Sequence, residues 1–271
     1  MKLRGQILLG VLLITVIPLV LMMQITRTGV TDRFTQLDTR RVEDQMRLTR
    51  QDLAAKSQEL SEMLASLGTT IGADNRFRLA VGGGRDDLKS YLVDFAPRHM
   101  SLMNLDMLQI QNEQGQIISS GHFRHSFGKV DAALPRQLAL VPNGQALIPS
   151  RNPEGSFLAL AQTKQIVLGG KKFDIIGGIS LSPENLRNLS RDDELDVVLN
   201  WPEGLLSTSE SLSKELTKAR RPEEIPFMLR KKRSIVRTSE WPLITNGQPD
   251  TAHLIVTHSQ ASLKKTLLAM N

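Results

Sequence analysis

The chain has 271 residues, no cysteine, and 34 Lys and Arg against 28 Asp and Glu, a formal net charge of +6. The missing cysteine excludes a thiol enzyme, a disulfide scaffold and every thiolate-held metal site. The small charge balance, to which Lys2 and Arg4 contribute two, argues against a nucleic-acid binder.

An uncharged apolar run comes first, residues 7–23, ILLGVLLITVIPLVLMM. About 17 residues is the lower end of what a helix needs to cross the hydrocarbon layer of a membrane. Lys2 and Arg4 ahead of it place the N-terminus (1–6) in the cytoplasm and everything after Gln24 outside. The run ends in Leu21, Met22, Met23, Gln24 and Ile25, a poor cleavage site, so an uncleaved anchor over 7–25 is expected rather than a removed signal.

From Val30 to Ile71 there is no Pro and only one Gly, Gly68. Met46, Leu53, Leu60 and Leu67 recur every seven residues, with Val42, Thr49, Lys56 and Met63 as the companion set. This spacing predicts a stalk helix over 26–72, roughly 63 Å for its Pro-free part at 1.5 Å per residue. Its apolar seam needs cover, and the reading divides it between a second copy in a homodimer, on the membrane-proximal half, and the domain that follows. Thr49 and Lys56 soften the seam.

Gly82-Gly83-Gly84 reads as a turn, since Arg85-Asp86-Asp87 follows where a P-loop needs Gly-Lys-Ser or Gly-Lys-Thr. A short helix, 87–95, opens on Asp and stops at Pro97. Segments 105–111 and 116–120 flank a Gly-containing turn and predict a β-hairpin. Residues 121–155 read as irregular, with a helical piece at 132–140. Strands are expected at 156–168 and 173–181 around Gly169-Gly170, and Gly177-Gly178 inside the second marks a bulge or a close backbone approach. Ser182 and Pro183 cap and open a short helix to Leu189.

The pattern then recurs: strands at 195–199 and 205–208, a helical piece at 211–220, and strands at 235–243 and 253–257 around Asn246-Gly247. The two copies span roughly 105–181 and 195–258. Arg230-Lys231-Lys232-Arg233 has no interleaved aromatics and reads as a solvated or membrane-facing loop. Residues 259–271 read as the amphipathic start of a helix leading to a second membrane segment.

Anchor, long helix and paired strands whose turns read DMLQIQNEQGQIISSG and DVVLNWPEGLLSTS together resemble the extracytoplasmic sensor region of a bacterial transmembrane receptor of the Cache type. The resemblance implies an α+β, double-Cache-like chain of PAS-like antiparallel modules: a membrane-distal one at 73–190 and a smaller one at 191–258. It also implies a dimer spine in the long helix and a small-ligand site in the distal module. The Arg, Trp and Tyr pattern of amino-acid-binding members is absent. Tyr91 is the single Tyr, and Trp201 and Trp241 are the two Trp.

No catalytic site is expected. There is no G-x-S-x-G elbow, and Asp192, Asp193 and Glu194 form an exposed charge run. His122 and His125 would share a face if helical, but no third metal ligand accompanies them, so exposed loop histidines are expected, with no metal and no cofactor. The expected ligand liners are His122, Arg124, Lys164, Lys172 and Asp174, whose cations favour a small anion. The expected function is signal sensing by a receptor of the bacterial inner membrane, residues 26–271 outside. The output would be that of a two-component histidine kinase, with a chemoreceptor or cyclic-dinucleotide enzyme as the variant. Signalling would run through helix movement, with a periplasmic protein as an alternative partner to a ligand. The competing class is a single-pass envelope binding or scaffold protein.

Overall fold

The computed structural model describes residues 2–82, 88–190, 192–217, 224–231 and 234–259; before residue 35, side chains are described only at Ile17, Leu19, Met22 and Arg33. Its first element is one helix, α1 (Lys2–Ala73), 72 residues long, about 108 Å at 1.5 Å per residue. No helix among the described residues is long and apolar enough to cross a membrane. Apart from Ile17, Leu19 and Met22, the anchor expected at 7–25 falls on side chains outside that description, and the segment 260–271 lies wholly outside it.

Buried positions on α1 run Val42, Met46, Thr49, Leu53, Ser57, Leu60, Leu64, Leu67 and Ile71. The steps are of four or three residues and average about 3.6, the period of a straight α-helix and not the 3.5 of a supercoil. The expected seam therefore holds at Val42, Met46, Thr49, Leu53, Leu60 and Leu67 but slips by one residue elsewhere. Ser57 and Leu64 are buried, and Lys56 and Met63 lie half-buried at the rim. The seam is covered by the chain's own sheet. Its lower half joins one core with Leu195, Val197, Trp241, Leu243 and Leu254, and its upper half another with Leu108, Ile110, Phe173 and Ile175.

Asp74 separates α1 from α2 (Asn75–Gly82), accepting the backbone N–H groups of Arg76 and Phe77 at 2.8 and 3.0 Å as a helix cap. Helix α3 (Lys89–Leu102) runs through Pro97, contrary to the expected stop. Phe95 and Ala96 are buried just ahead of the proline, and the His99 ring stacks on Phe95 beyond it, so packing holds the turn that the missing N–H weakens.

Strands β1 (Met107–Asn112) and β2 (Ile117–Ser120) form the first hairpin. After α4 (Ala133–Leu140) come β3 (Gln145–Asn152), β4 (Gly155–Leu168) and β5 (Lys171–Leu181). Strand β3 lies in the stretch expected to be irregular. Its Pro149 hides it from a sequence reading, yet proline is tolerated there because the one bridge from β3 to β8 is at Leu147, and at Pro149 the strand pairs only with β4. Helix α5 (Pro183–Leu189) is capped by Ser182, which accepts from the Asn185 N–H.

The second half repeats the hairpin as β6 (Leu195–Trp201) and β7 (Gly204–Ser207), then α6 (Glu210–Leu216), α7 (Glu224–Lys231), β8 (Ser234–Thr245) and β9 (Gln248–Ser259). Arg230 and Lys231, expected in a loop, close the last turn of α7. The nine strands lie in the order β2-β1-β5-β4-β3-β8-β9-β6-β7. Every pairing is antiparallel except the junction of the halves, where β3 meets β8 in a single parallel bridge, Leu147 to Leu243.

The glycines in β5 mark a close approach without a bulge. A Cβ at Gly177 would come within 2.6 Å of Leu64 Cδ2 on α1, and pairing runs unbroken past it on both sides. Leu64 is itself fully buried and has no room to retreat. Gly177→Ala is therefore expected to lower stability by about 1–3 kcal/mol, the usual cost of overpacking a filled core. Thermal or urea unfolding of the purified chain measures this, with Gly128→Ala as a control for strain alone, since that site has positive φ but open space.

Candidate functional site

Alternation along β1 sends Leu108 and Ile110 toward α1 and Met107, Gln109 and Gln111 to the opposite face. On that far face the strand register collects a polar row. Ser120 stands opposite Gln109, Asp174 opposite Gln111, Gln165 opposite Asp174, and Thr163 opposite Ile176. Gln109, Gln111 and Ser120 are buried, and Thr163 is half-buried. Among the described residues ten buried side-chain nitrogen and oxygen atoms lack a hydrogen-bond partner. Five of them are Gln109 Nε2, Gln111 Oε1 and Nε2, Ser120 Oγ and Thr163 Oγ1. An unpaired buried polar group costs about 1–3 kcal/mol, so their concentration on one face singles it out as the candidate site.

Beside this polar floor the side chains are small: Ala146, Ala159, Ala161 and Gly178. Leu134 and Leu138 of α4 close the apolar end. The arrangement supplies neutral donors and acceptors, with the Asp174 carboxylate beside Gln111, next to an apolar wall. No group of three or more potential metal ligands occurs among the described residues.

The five expected liners separate. His122 follows β2 and is buried, its Nδ1 3.3 Å from the Leu108 carbonyl. Burial lowers its pKa, with the carbonyl bond opposing, so the ring is neutral at pH 7. Asp174 is half-buried in the polar row and accepts from Gln165 Nε2 at 3.1 Å. Arg124 is exposed and lies 3.4 Å from Asp94 of α3. Lys164 is exposed and stands opposite Ile175, on the α1 side of the sheet. Lys172 is exposed at a cavity of about 280 Å³ near the β4–β5 turn. The three cations do not converge, because they sit on a loop, the wrong face and a strand end. His122 and His125 diverge as well. The helical turn there is a 3-10 turn confined to Arg124–Ser126, and His125 is exposed with its ring edge on Phe123.

Sequence reasoning passed over Gln109, Gln111, Ser120 and Thr163, since polar residues alternating with apolar ones ordinarily mark a solvated face. The available signal was the repeat. In β6 the far-face position between Val197 and Leu199 is Val198, packed in a core with α6 and α7, whereas β1 carries glutamines on that face.

A larger cavity, about 770 Å³, lies elsewhere, between α1 and the junction of the two halves. It is lined by Met46, Arg50, Pro142, Gln145, Glu240 and Trp241 among others.

The lowered His122 pKa carries a stability consequence. A group whose folded pKa lies below its unfolded value binds its proton more readily in the unfolded chain. Stability is therefore full above the unfolded value of about 6.5 and falls as the pH drops through the folded pKa, by at most about 1.4 kcal/mol per pH unit for one proton. Melting curves from pH 8 to pH 5 should show this decline, and His122→Gln should flatten it.

No family model matches the chain, and no curated protein matches it. Solved structures do. The extracellular domain of vpHK1S-Z8, assigned as a histidine kinase, superposes with a TM-score of 0.53 at 11% identity, covering 85% of this chain and 98% of that one. The sensory domain of the Campylobacter jejuni chemoreceptor Tlp3 gives 0.51 at 11% identity, over 87% and 97% of the two chains. The Tlp3 ligand-binding domain in complex with 4-methylisoleucine gives 0.51, also at 11%. The chain has the fold of the extracytoplasmic sensory domains of bacterial histidine kinases and chemoreceptors.

Proposed function

We propose that this chain is the extracytoplasmic sensory region of a bacterial transmembrane receptor of the Cache type, with a two-component histidine kinase as the output. The supporting observation is that α1 is one unbroken helix carrying the apolar run 7–23 at its start and packing on both halves of the sheet. Ile17, Leu19 and Met22 are exposed apolar side chains within that run, as a lipid-facing helix requires. Residues 73–190 form the membrane-distal PAS-like module and 191–258 the proximal one. The strand order β2-β1-β5-β4-β3, repeated as β7-β6-β9-β8, supports that division. Residues 26–271 lie outside the cytoplasmic membrane.

The distal module holds a small ligand at the polar floor. Gln109, Gln111, Ser120 and Thr163 supply neutral hydrogen-bonding groups, which favour an uncharged polar head over the anion expected from Arg124, Lys164 and Lys172. Its apolar part lies against Ala159, Ala161 and Gly178. A ligand that binds one arrangement of α1 against the sheet better than another shifts the population and moves the helix at the membrane. A homodimer through α1 uses the face opposite the buried seam.

A thermal-shift screen of amino acids, their neutral amides, polyols and small carboxylates against the whole chain tests this. A ligand at 100 times its dissociation constant stabilises by about 2.7 kcal/mol. Gln111→Leu removes two unpartnered polar atoms from the core, so the unliganded variant is expected to melt higher, and the ligand response to vanish. A variant that keeps the ligand shift would move the site away from this floor.

A further inference from the structure

The two halves of the sheet differ by one strand. In the first, β4 is paired on both edges, with β5 at eleven positions and with β3 at eight. In the second, β8 stands where β4 stands and pairs with β9 at twelve positions. On its other edge it meets a strand at one position only, Leu243. From Ser234 to Trp241 that edge has no strand partner among the described residues, a length of roughly 26 Å at 3.3 Å per residue. Between β7 and β8 the described chain forms α6 and α7 where the first half forms β3. Ile225 and Leu229 of α7 pack with Val198, Val236 and Ile255 on the face of the sheet.

Where this edge approaches β3, the cavity of about 770 Å³ opens between α1, Pro142–Gln145 and Glu240–Pro242. Trp241 lines it, 8% exposed, and its indole N–H has no acceptor. In an antiparallel strand the backbone groups of alternate residues point away from the existing partner, so the edge offers a row of donors and acceptors beside an apolar cleft.

We propose that the outer edge of β8 is a docking site for an extended segment of a partner protein. The segment adds as an antiparallel strand in the place β3 holds against β4, with one bulky apolar side chain in the cleft beside Trp241. Main-chain bonding supplies the affinity, and the cleft supplies the selectivity. Arg237, paired with Glu43, and exposed Glu240 guard the edge against indiscriminate pairing, as charges on natural edge strands do. A second copy of this chain fits poorly. β8 climbs alongside α1: Ile235 pairs with His258, which lies 3.7 Å from Asp38, Arg237 reaches Glu43, and Trp241 shares the cleft with Met46 and Arg50. Symmetric antiparallel pairing of two β8 edges would set two α1 helices in opposition. Copies anchored in one membrane, as proposed above, point the same way.

The test uses the whole chain in lipid nanodiscs and a displayed library of random decapeptides as the probe, followed by amide hydrogen exchange. In the free protein the outward amides of 234–241 should exchange quickly. Selected peptides should carry a bulky apolar residue and slow alternate amides of 234–241 at least tenfold, leaving β1 and β2 unchanged. Thr238→Pro and Ser239→Pro are compared for melting temperature. Whichever leaves it unchanged has lost an outward donor and should lose peptide binding. Edge amides already slow in the free protein, protection elsewhere in the sheet, or no enriched peptide would each overturn the proposal.

Discussion

The structure depends on one contact line, the buried stripe of α1 against a single face of the sheet. Seven large aliphatic side chains, Val42, Met46, Leu53, Leu60, Leu64, Leu67 and Ile71, are buried along it. At about 1.5–3 kcal/mol each, their burial contributes roughly 10–20 kcal/mol before entropy is set against it. The two halves of the sheet meet through a single parallel bridge, so this helix does most to hold them in register. Where it lies closest, β5 has lost its side chain at Gly177 to admit Leu64.

Polar residues within the stripe act as pins. Gln45 Nε2 donates to Thr49 Oγ1 at 3.0 Å and to the Leu189 carbonyl at 2.8 Å, tying α1 to the end of α5. Ser57 accepts from Gln162 of β4. Lower down, Arg41 donates to Asp192 and lies 3.0 Å from Glu194. Being partly exposed, that ion pair adds little stability, but it fixes direction. Thr49, which reads in sequence as a weak point of a zipper, is thus a buried hydrogen-bonded group that helps set the helix's rotation.

One side of the sheet is therefore committed to structure, and the far side is free to differ between the halves. In the second half it is filled by α6 and α7 around Val198 and Ile255. In the first, the filling is incomplete in a chemical sense: amides and hydroxyls are buried without partners next to small side chains. The same division places the open edge of β8 in the half that lacks a counterpart of β3. The polar floor and the open edge are thus separated along the molecule and joined through α1 and the β3–β8 bridge.

The sequence by itself determined the long helix, both hairpins, the Ser182–Pro183 helix start and the repeat of strand order, because each rests on local periodicity or turn chemistry. It also gave the composition limits, since a chain without cysteine has no thiolate chemistry wherever it folds. Only the tertiary structure decided which face each alternating strand presents to α1. Gln109 and Gln111 look solvated in sequence because period-two alternation names two faces without saying that both are covered. Lys164 looked available for a ligand for the same reason, and the register with Ile175 put it on the other side. Helix α3 passed Pro97, and β3 formed around Pro149, because packing and an edge position outweigh local propensity. The straight 3.6-residue stripe, and with it the cover of α1 by its own sheet, followed from contacts more than 100 residues apart, such as Ser57 with Gln162, which no window of sequence contains.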